Sequence, residues 1–190
     1  MQKKVFMGSA LICLVLLTAM FVQTAKAQGT SPSDPASIGT PVKSFVELGS
    51  VNASNYDITI TVLEVVRGEE AMKRLKEANA GNQAPKAGFE YILALVSFDI
   101  RGRAVTDNRV FDLGSSPLQW VAYSADFTEY ESVSVTLPKP GLSGLASLGK
   151  TVEGWVVFAI EQNETKPLMT FDPDSGGATG RGKSLFFKLY

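Results

Sequence analysis

The sequence predicts an all-β fold, an antiparallel β-sandwich with one short inserted helix, for most of its 190 residues. Several segments alternate apolar and polar residues with the period of two that is typical of strands. A single segment, 69–79, instead spaces its apolar residues as an amphipathic helix does. Glycine and proline are frequent between these segments, where both residues favour turns.

The strand predictions depend on which face of a sheet each apolar residue would occupy. Segment 56–62 is apolar at every second position, as in a strand with one buried face. Segment 92–100 is apolar on both faces near its start, which predicts a central strand covered on both sides. Segment 152–160 has the same two-sided pattern. Shorter strands are predicted at 119–124, 133–137 and 185–189.

The helical segment 69–79 has a narrow apolar stripe formed by Met72, Leu75 and Ala78. So narrow a stripe predicts that the helix covers only one edge or end of a sheet. Opposite charges four residues apart support the helix on its polar face. This charged face is also a candidate recognition surface, because inserted segments often carry binding. It consists of Glu70, Lys73, Arg74 and Glu77.

Residues 1–27 are predicted to form a secretory signal peptide, whose apolar part is a helix. Two lysines precede an uncharged, mostly apolar stretch, and small residues then occupy the positions that signal peptidase reads. The predicted cleavage site consists of Ala25, Ala27 and Gln28. The alternative is an uncleaved membrane anchor, because the stretch 5–22 is long enough to span a bilayer.

Residues 28–41, rich in serine, proline and glycine, are predicted to be a flexible linker, and residues 42–190 to be the sandwich domain. Cys13 is the only cysteine and lies in the leader, so the cleaved chain can form no disulfide. Cleavage would leave 15 basic and 19 acidic residues, a net charge of −4. This balance predicts no nucleic-acid partner, and contact with a membrane only through an uncleaved leader.

The chain contains no histidine, which removes Ser-His-Asp and Cys-His nucleophilic systems and the common zinc and copper ligand sets. We therefore predict no catalytic, cofactor-binding or metal-binding residue. A carboxylate-based hydrolase remains the less favoured alternative, and it would need two acids close together in a cleft. The available carboxylates include Glu64, Asp99, Asp126, Glu129, Glu131 and Glu153.

Two short motifs are similar to known binding patterns. Segment 177–184 fits the phosphate-loop pattern, but a strand is predicted after it where that loop requires a helix, so no nucleotide binding is predicted. Segment 172–176 is similar to the opening of a calcium loop, but Lys183 replaces the closing acid. Asn52 and Asn163 begin N-glycosylation sequons, which matter only in a host that glycosylates exported proteins.

Segments 67–79 and 84–93 resemble domain-of-unknown-function family 4352, in which a short helix, an Ala-Asn and a Pro and Gly turn precede a Glu-Tyr that opens a strand. Segment 151–158 is similar to the late Gly-Trp-Val-Val-Phe strand of that family. The resemblance covers about 45–190, and Met72 departs from it where relatives often have tryptophan. It implies an immunoglobulin-like sandwich, secreted or surface-held, related in fold to a secreted bacterial immunogenic antigen and without established catalytic residues.

Together these features predict an exported, non-enzymatic extracellular or cell-surface domain. Its expected partner is an extracellular protein or glycan at the envelope, since sandwich folds usually present binding loops at their ends. The alternative is a structural accessory subunit of an envelope complex, held by an uncleaved N-terminal anchor.

Overall fold

The computed structural model describes residues 28–49, 54–103, 110–113, 119–173 and 180–190. The predicted signal peptide, with Ala25 and Ala27, lies outside them. The helix α1 spans Gly68–Ala78. The strands are β1 (Val42–Leu48), β2 (Ser54–Arg67), β3 (Phe89–Gly102), β4 (Val110–Asp112), β5 (Trp120–Tyr123), β6 (Leu145–Ser147), β7 (Thr151–Glu161), β8 (Leu168–Phe171), β9 (Gly180–Gly182) and β10 (Leu185–Lys188).

Two antiparallel sheets enclose the main hydrophobic core. The larger sheet has the strand order β7-β3-β2-β1-β9, and the smaller has the order β10-β8-β5. Strands β4 and β6 form a separate antiparallel pair. Phe98 from the larger sheet packs against Phe171 from the smaller, with ring centres 5.9 Å apart. The predicted fold class, an all-β antiparallel sandwich with one inserted helix, is confirmed.

Strand β3 shows why the sequence is apolar on both faces of this sheet. Its even-numbered residues from Ile92 to Ile100 lie in the core between the sheets. Leu93 and Leu95 face outward into a second cluster. Strand β7 alternates in the same way, because Trp155 joins the outer cluster while its neighbour Val156 joins the core. Both predictions of two-sided strands are therefore confirmed.

A β-bulge at Leu63 changes the direction of side chains along β2. Val62 pairs with Val96, but Glu64 pairs with the adjacent residue, Leu95, so Leu63 is left without a partner in the register. A bulge of this kind shifts the inward and outward alternation by one residue. Glu64 consequently faces outward, towards the helix that follows the strand.

Helix α1 covers the outer face of the five-stranded sheet, not its edge or end as the sequence predicted. Ala71 and Leu75 are fully buried there. They pack against Tyr91, Leu93 and Trp155, which extend from β3 and β7. Full burial of a leucine side chain contributes about 1.5–3 kcal/mol to the stability of the folded state. Packing therefore attaches the helix to the sheet.

The predicted apolar stripe of the helix was only partly right. Leu75 is buried, but Ala78 is exposed and Met72 is half-buried, whereas Ala71 is buried. The chain passes from β2 into the helix through Gly68, whose φ of +66° is readily adopted by glycine. This sharp turn folds the helix back over the strands that precede and follow it, and so selects the face containing Ala71.

An extended segment, 131–138, lies beside the helix on the same outer face. Its alternation was predicted to mark a strand at 133–137, but the structure assigns no strand there. The side chain of Asn82 provides its backbone bonds, because Thr136 N donates to Oδ1 at 2.8 Å and Nδ2 donates to Thr136 O at 2.8 Å. Its half-buried apolar residues join the outer cluster, namely Val133, Val135 and Leu137.

The prediction that residues 28–41 form a flexible linker was wrong. The backbone of Ala36 bridges to β10, accepting from Lys188 N at 2.8 Å and donating to Phe186 O at 2.9 Å. Gly29 has a φ of +82°, and a Cβ there would lie 2.6 Å from the Val42 side chain. This segment protects an edge strand through backbone hydrogen bonds, which a low apolar content does not exclude.

Candidate functional site

Within the described ranges, the outer face of the five-stranded sheet has a covered half and an open half. The covered half lies beneath α1 and residues 131–138. The open half forms a shallow basin of about 700 Å³ on β1, β2 and β3. We call it the open basin, and its main outward side chains are Lys43, Phe45, Asp57, Thr59, Asp99, Arg101 and Arg103.

Strand periodicity places these polar side chains together. Ile58, Phe98 and Ile100 occupy the positions next to them in sequence and are fully buried in the core. Because successive side chains point to opposite faces of a strand, the residues between them must point outward. The register then brings Thr59 opposite Asp99, on neighbouring strands.

Ion pairs hold the arginines of the basin in place. Arg101 Nε donates to Asp99 Oδ1 at 2.9 Å, and Arg103 donates to Asp57 on the adjacent strand. Thr151 Oγ1 donates to the other oxygen of Asp99 at 3.3 Å. Hydrogen bonds to Asp99 and Asp57 raise the pKa of Arg101 and Arg103. Both guanidinium groups would carry their charge at neutral pH without this shift.

Phe45 provides an aromatic surface inside this charged basin. Its side chain is 38% exposed. The guanidinium of Arg103 lies over the ring at 5.4 Å from its centre. An accessible ring edged by a cation, carboxylates and a hydroxyl can stack on a planar or ring-shaped group while offering it hydrogen bonds. Sequence reasoning missed this site, although the alternation of β1–β3 contained the signal.

The predicted recognition residues lie on α1, outside the open basin. Arg74 is partly committed to packing, because its guanidinium lies 5.2 Å from the ring centre of Trp155 and 3.0 Å from Glu64. It also bonds Glu70 at 3.2 Å. Lys73 is far more exposed and lies 3.8 Å from Glu70. The helix face is thus a network of ion pairs around one packed arginine.

Three of these four residues nevertheless share a groove. Glu70, Arg74 and Glu77 line an opening of about 510 Å³ between α1 and residues 136–139. Lys73 does not line it. Leu137 and Pro138 give the groove an apolar side.

The acids considered for catalysis are distributed over several parts of the surface. Glu64 and Asp99 belong to the ion pairs described above. Glu129 accepts a hydrogen bond from a tyrosine hydroxyl at 3.2 Å, and Glu131 lies 3.9 Å from a lysine. Glu153 is exposed on β7. Among the described residues, no group of three acids is placed to hold a metal ion.

The segment with the phosphate-loop pattern is described only from residue 180 onward. Gly180–Gly182 forms β9, and Leu185–Lys188 forms β10. The prediction of a strand after the loop is confirmed, and the chain therefore offers no helix N-terminus at the position where a phosphate loop needs one. No helix within the described ranges is long and apolar enough to span a bilayer.

Comparison with protein families and with curated proteins finds no match for this chain. Two solved structures are similar to parts of it. A candidate lipoprotein from Bacillus subtilis is 14% identical with a TM-score of 0.45, over 69% of this chain and 35% of that one. A functionally unknown protein from Listeria monocytogenes is 14% identical with a TM-score of 0.33, over 87% of this chain and 100% of that one. This chain spans about a third of the length of the Bacillus protein, and neither similarity carries information about function.

Proposed function

We propose that this chain is an exported, non-enzymatic domain of the extracellular space or cell surface, and that it binds a protein or glycan through the open basin. The observation that supports this most is the division of the outer face. Where outward side chains are apolar, a helix and an extended segment cover them. Where they are charged and surround Phe45, nothing in the described part of the chain covers them.

The basin suits binding because its charged groups are already positioned. Asp57 and Asp99 lie on strands whose register is fixed by the core, and they bond Arg103, the residue after β3, and Arg101. Groups fixed before binding lose little conformational entropy when a partner arrives. Exposed aromatic and arginine side chains are also the residues that most often contribute strongly to protein interfaces.

The predicted location supports the same proposal. The leader directs export, and the chain after cleavage would contain no thiol for an oxidising compartment to modify. The resemblance to domain-of-unknown-function family 4352 stays a prediction, and it points to the same secreted or surface-held class.

Crosslinking on intact cells tests the binding surface. The wild-type protein is expected to capture a defined partner, and the double variant Phe45→Ala/Arg103→Ala is expected to lose it. Lys73→Ala, on the exposed helix face, serves as the matched control and should capture the partner normally. All variants must first show the wild-type unfolding midpoint. Capture that survives the basin variant but is lost with Lys73→Ala would move the binding surface to the helix.

Fractionation combined with intact-mass measurement tests the location. We expect an exported protein that begins at Gln28. A membrane-bound protein that retains residues 1–27 would instead favour the accessory subunit held by its anchor.

A further inference from the structure

A second opening, separate from the open basin, lies where the turn after β5 meets the end of β7. It measures about 280 Å³. We call it the acidic pocket, and its polar lining residues are Ser124, Asp126, Thr128, Tyr130, Glu161 and Glu164.

Two turns fasten the walls of this pocket to each other. In the first, Thr128 N donates to Ser124 Oγ at 3.0 Å, and the Ser124 hydroxyl donates to Asp126. In the second, the carboxylate of Glu164 accepts from Lys166 N at 2.7 Å. The same carboxylate accepts from Ala125 N at 3.0 Å, which ties the second turn to the first.

The pocket has a strong negative charge. Its lining contains Asp126, Glu161 and Glu164 and no basic residue. Arg67 donates to the backbone carbonyl of Glu164 at 3.0 Å, but the charge of this arginine is matched by Glu90. Hydrogen bonds from Ser124 and Thr128 lower the pKa of Asp126, so this carboxylate is ionised at neutral pH.

Tyr130 is the most buried polar side chain of this pocket whose hydroxyl is left over by the turns. Its side chain lines the pocket and is only 9% exposed, and its hydroxyl has no well-formed hydrogen bond to any described residue. Burial raises the pKa of Tyr130 and the negative charge of Glu164 raises it further, while a weaker contact with the backbone of Glu161 lowers it. A buried hydroxyl without a partner is costly, and its oxygen can accept a hydrogen bond from a donor placed among these carboxylates.

We propose that the acidic pocket binds the ammonium group of a lysine side chain presented by a partner protein. An ammonium group has three N–H donors and a compact positive charge. Tyr130 and the carboxylates of Asp126 and Glu161 offer acceptors for them. Glu161 is exposed and makes no side-chain hydrogen bond within the described residues, so it is available to a ligand.

The geometry favours this ligand over a metal ion. Among the described residues, no three acids are placed to coordinate one ion, and two of the carboxylates are already used in the turns. An opening of about 280 Å³ admits one side chain but no folded element, which suits a lysine extending from a partner. This proposal concerns different residues from those of the open basin and does not depend on it.

The test uses the exported protein and Nα-acetyl-lysine amide as the probe, followed by NMR or titration calorimetry. We expect weak, saturable binding that weakens as salt is added, because the attraction is between charges. Nε-acetylation of the probe removes the positive charge and should abolish binding. Glu161→Gln and Tyr130→Phe should each weaken binding about tenfold, as expected for one hydrogen bond to a charged group.

Glu153→Gln, an exposed acid on the same strand as Glu161, is the matched control and should bind as the wild type does. Tyr130→Phe keeps the ring that packs edge-on against Phe89, so this variant is expected to fold. Equal binding of the acetylated probe, or wild-type affinity in both pocket variants, would overturn the proposal. So would calcium binding that depends on Glu161 in the absence of any lysine binding, since that would define a metal site.

Discussion

Asn82 is the residue whose replacement tests the covered half of the outer face most directly. Its side chain is 5% exposed and connects two elements that the sheet itself does not hold. Nδ2 donates to the carbonyl of Leu75 in α1 at 2.7 Å and to that of Thr136 at 2.8 Å, while Oδ1 accepts from Thr136 N at 2.8 Å. One amide therefore fastens the helix to the extended segment beside it.

The expected cost follows from these three hydrogen bonds. Each contributes about 1 kcal/mol net, and a buried group that loses its partner costs about 1–3 kcal/mol. Water can reach Thr136, which is exposed, and will replace part of what is lost. Asn82→Ala should consequently lower the free energy of unfolding by about 2–4 kcal/mol. Asn82→Asp should cost at least as much, because it places a carboxylate oxygen against the two carbonyls.

Urea unfolding of the three proteins, followed by tryptophan fluorescence, measures these differences. Trp155 lies in the outer cluster beneath α1 and reports on this region. Gln83→Ala is the matched control, because the exposed side chain of Gln83 bonds only the Gly81 carbonyl among the described residues, and the backbone carbonyl that accepts from the Tyr91 hydroxyl is kept in the variant. It should change stability by less than about 0.5 kcal/mol. If Asn82→Ala also falls within 0.5 kcal/mol of the wild type, the extended segment is held by packing alone and our account of Asn82 is wrong.

Three further predictions concern packing and cofactors. Leu75→Ala should lower the free energy of unfolding by about 2–4 kcal/mol, and Lys73→Glu should lower it by less than about 1 kcal/mol. If urea melts give the two variants similar free energies of unfolding, the helix is not docked on the sheet. Gly154→Ala should lower the melting temperature, because the added Cβ would lie 2.4 Å from Leu142 N. Gly141→Ala is the control, since a Cβ there would lie at an ordinary 3.5 Å from its nearest neighbour. An unchanged melting temperature in Gly154→Ala would contradict this close approach. Reducing agent and chelator should leave the melting temperature of the cleaved protein unchanged, and a drop of several degrees with chelator would reveal a metal site.

The alternation of apolar and polar residues predicted those features of the fold that are encoded within a single strand. Ile92 and Leu93 are both apolar because β3 separates two clusters, and alternation alone shows this. The same reasoning could not place α1, because its position depends on the turn at Gly68 and on the bulge at Leu63. Neither feature leaves a periodic signal, since each involves a single residue.

Contacts between distant segments were beyond prediction for a different reason. Residues 28–41 lack apolar content, and their attachment to β10 uses backbone groups that every residue possesses. Segment 133–137 alternates as a strand does, but Asn82 replaces the neighbouring strand that would normally supply its bonds. Composition and periodicity describe side chains, so they do not report which backbone groups meet.

The candidate sites differ in the same respect. Glu70, Lys73, Arg74 and Glu77 could be proposed because they lie on one helix, whose periodicity fixes their common face. Predicting the open basin would have required the register of three strands. That register brings Asp57 close to Arg103, which is 46 residues away along the chain. Predicting the acidic pocket would likewise have required knowledge that two turns distant in sequence meet.

The chemistry of the outer face explains why the described part of the chain covers only half of it. A helix can dock over Tyr91, Leu93 and Trp155 because burying apolar surface is favourable. Covering Asp99 and Arg101 with an apolar stripe would instead remove charged groups from water, which is costly unless the cover supplies matching hydrogen bonds. Arg74 of the short helix is not available for this role, since it already bonds Glu64 and Glu70. The open basin thus stays accessible to a partner that brings its own complementary polar groups, and this requirement is the basis for assigning recognition to it.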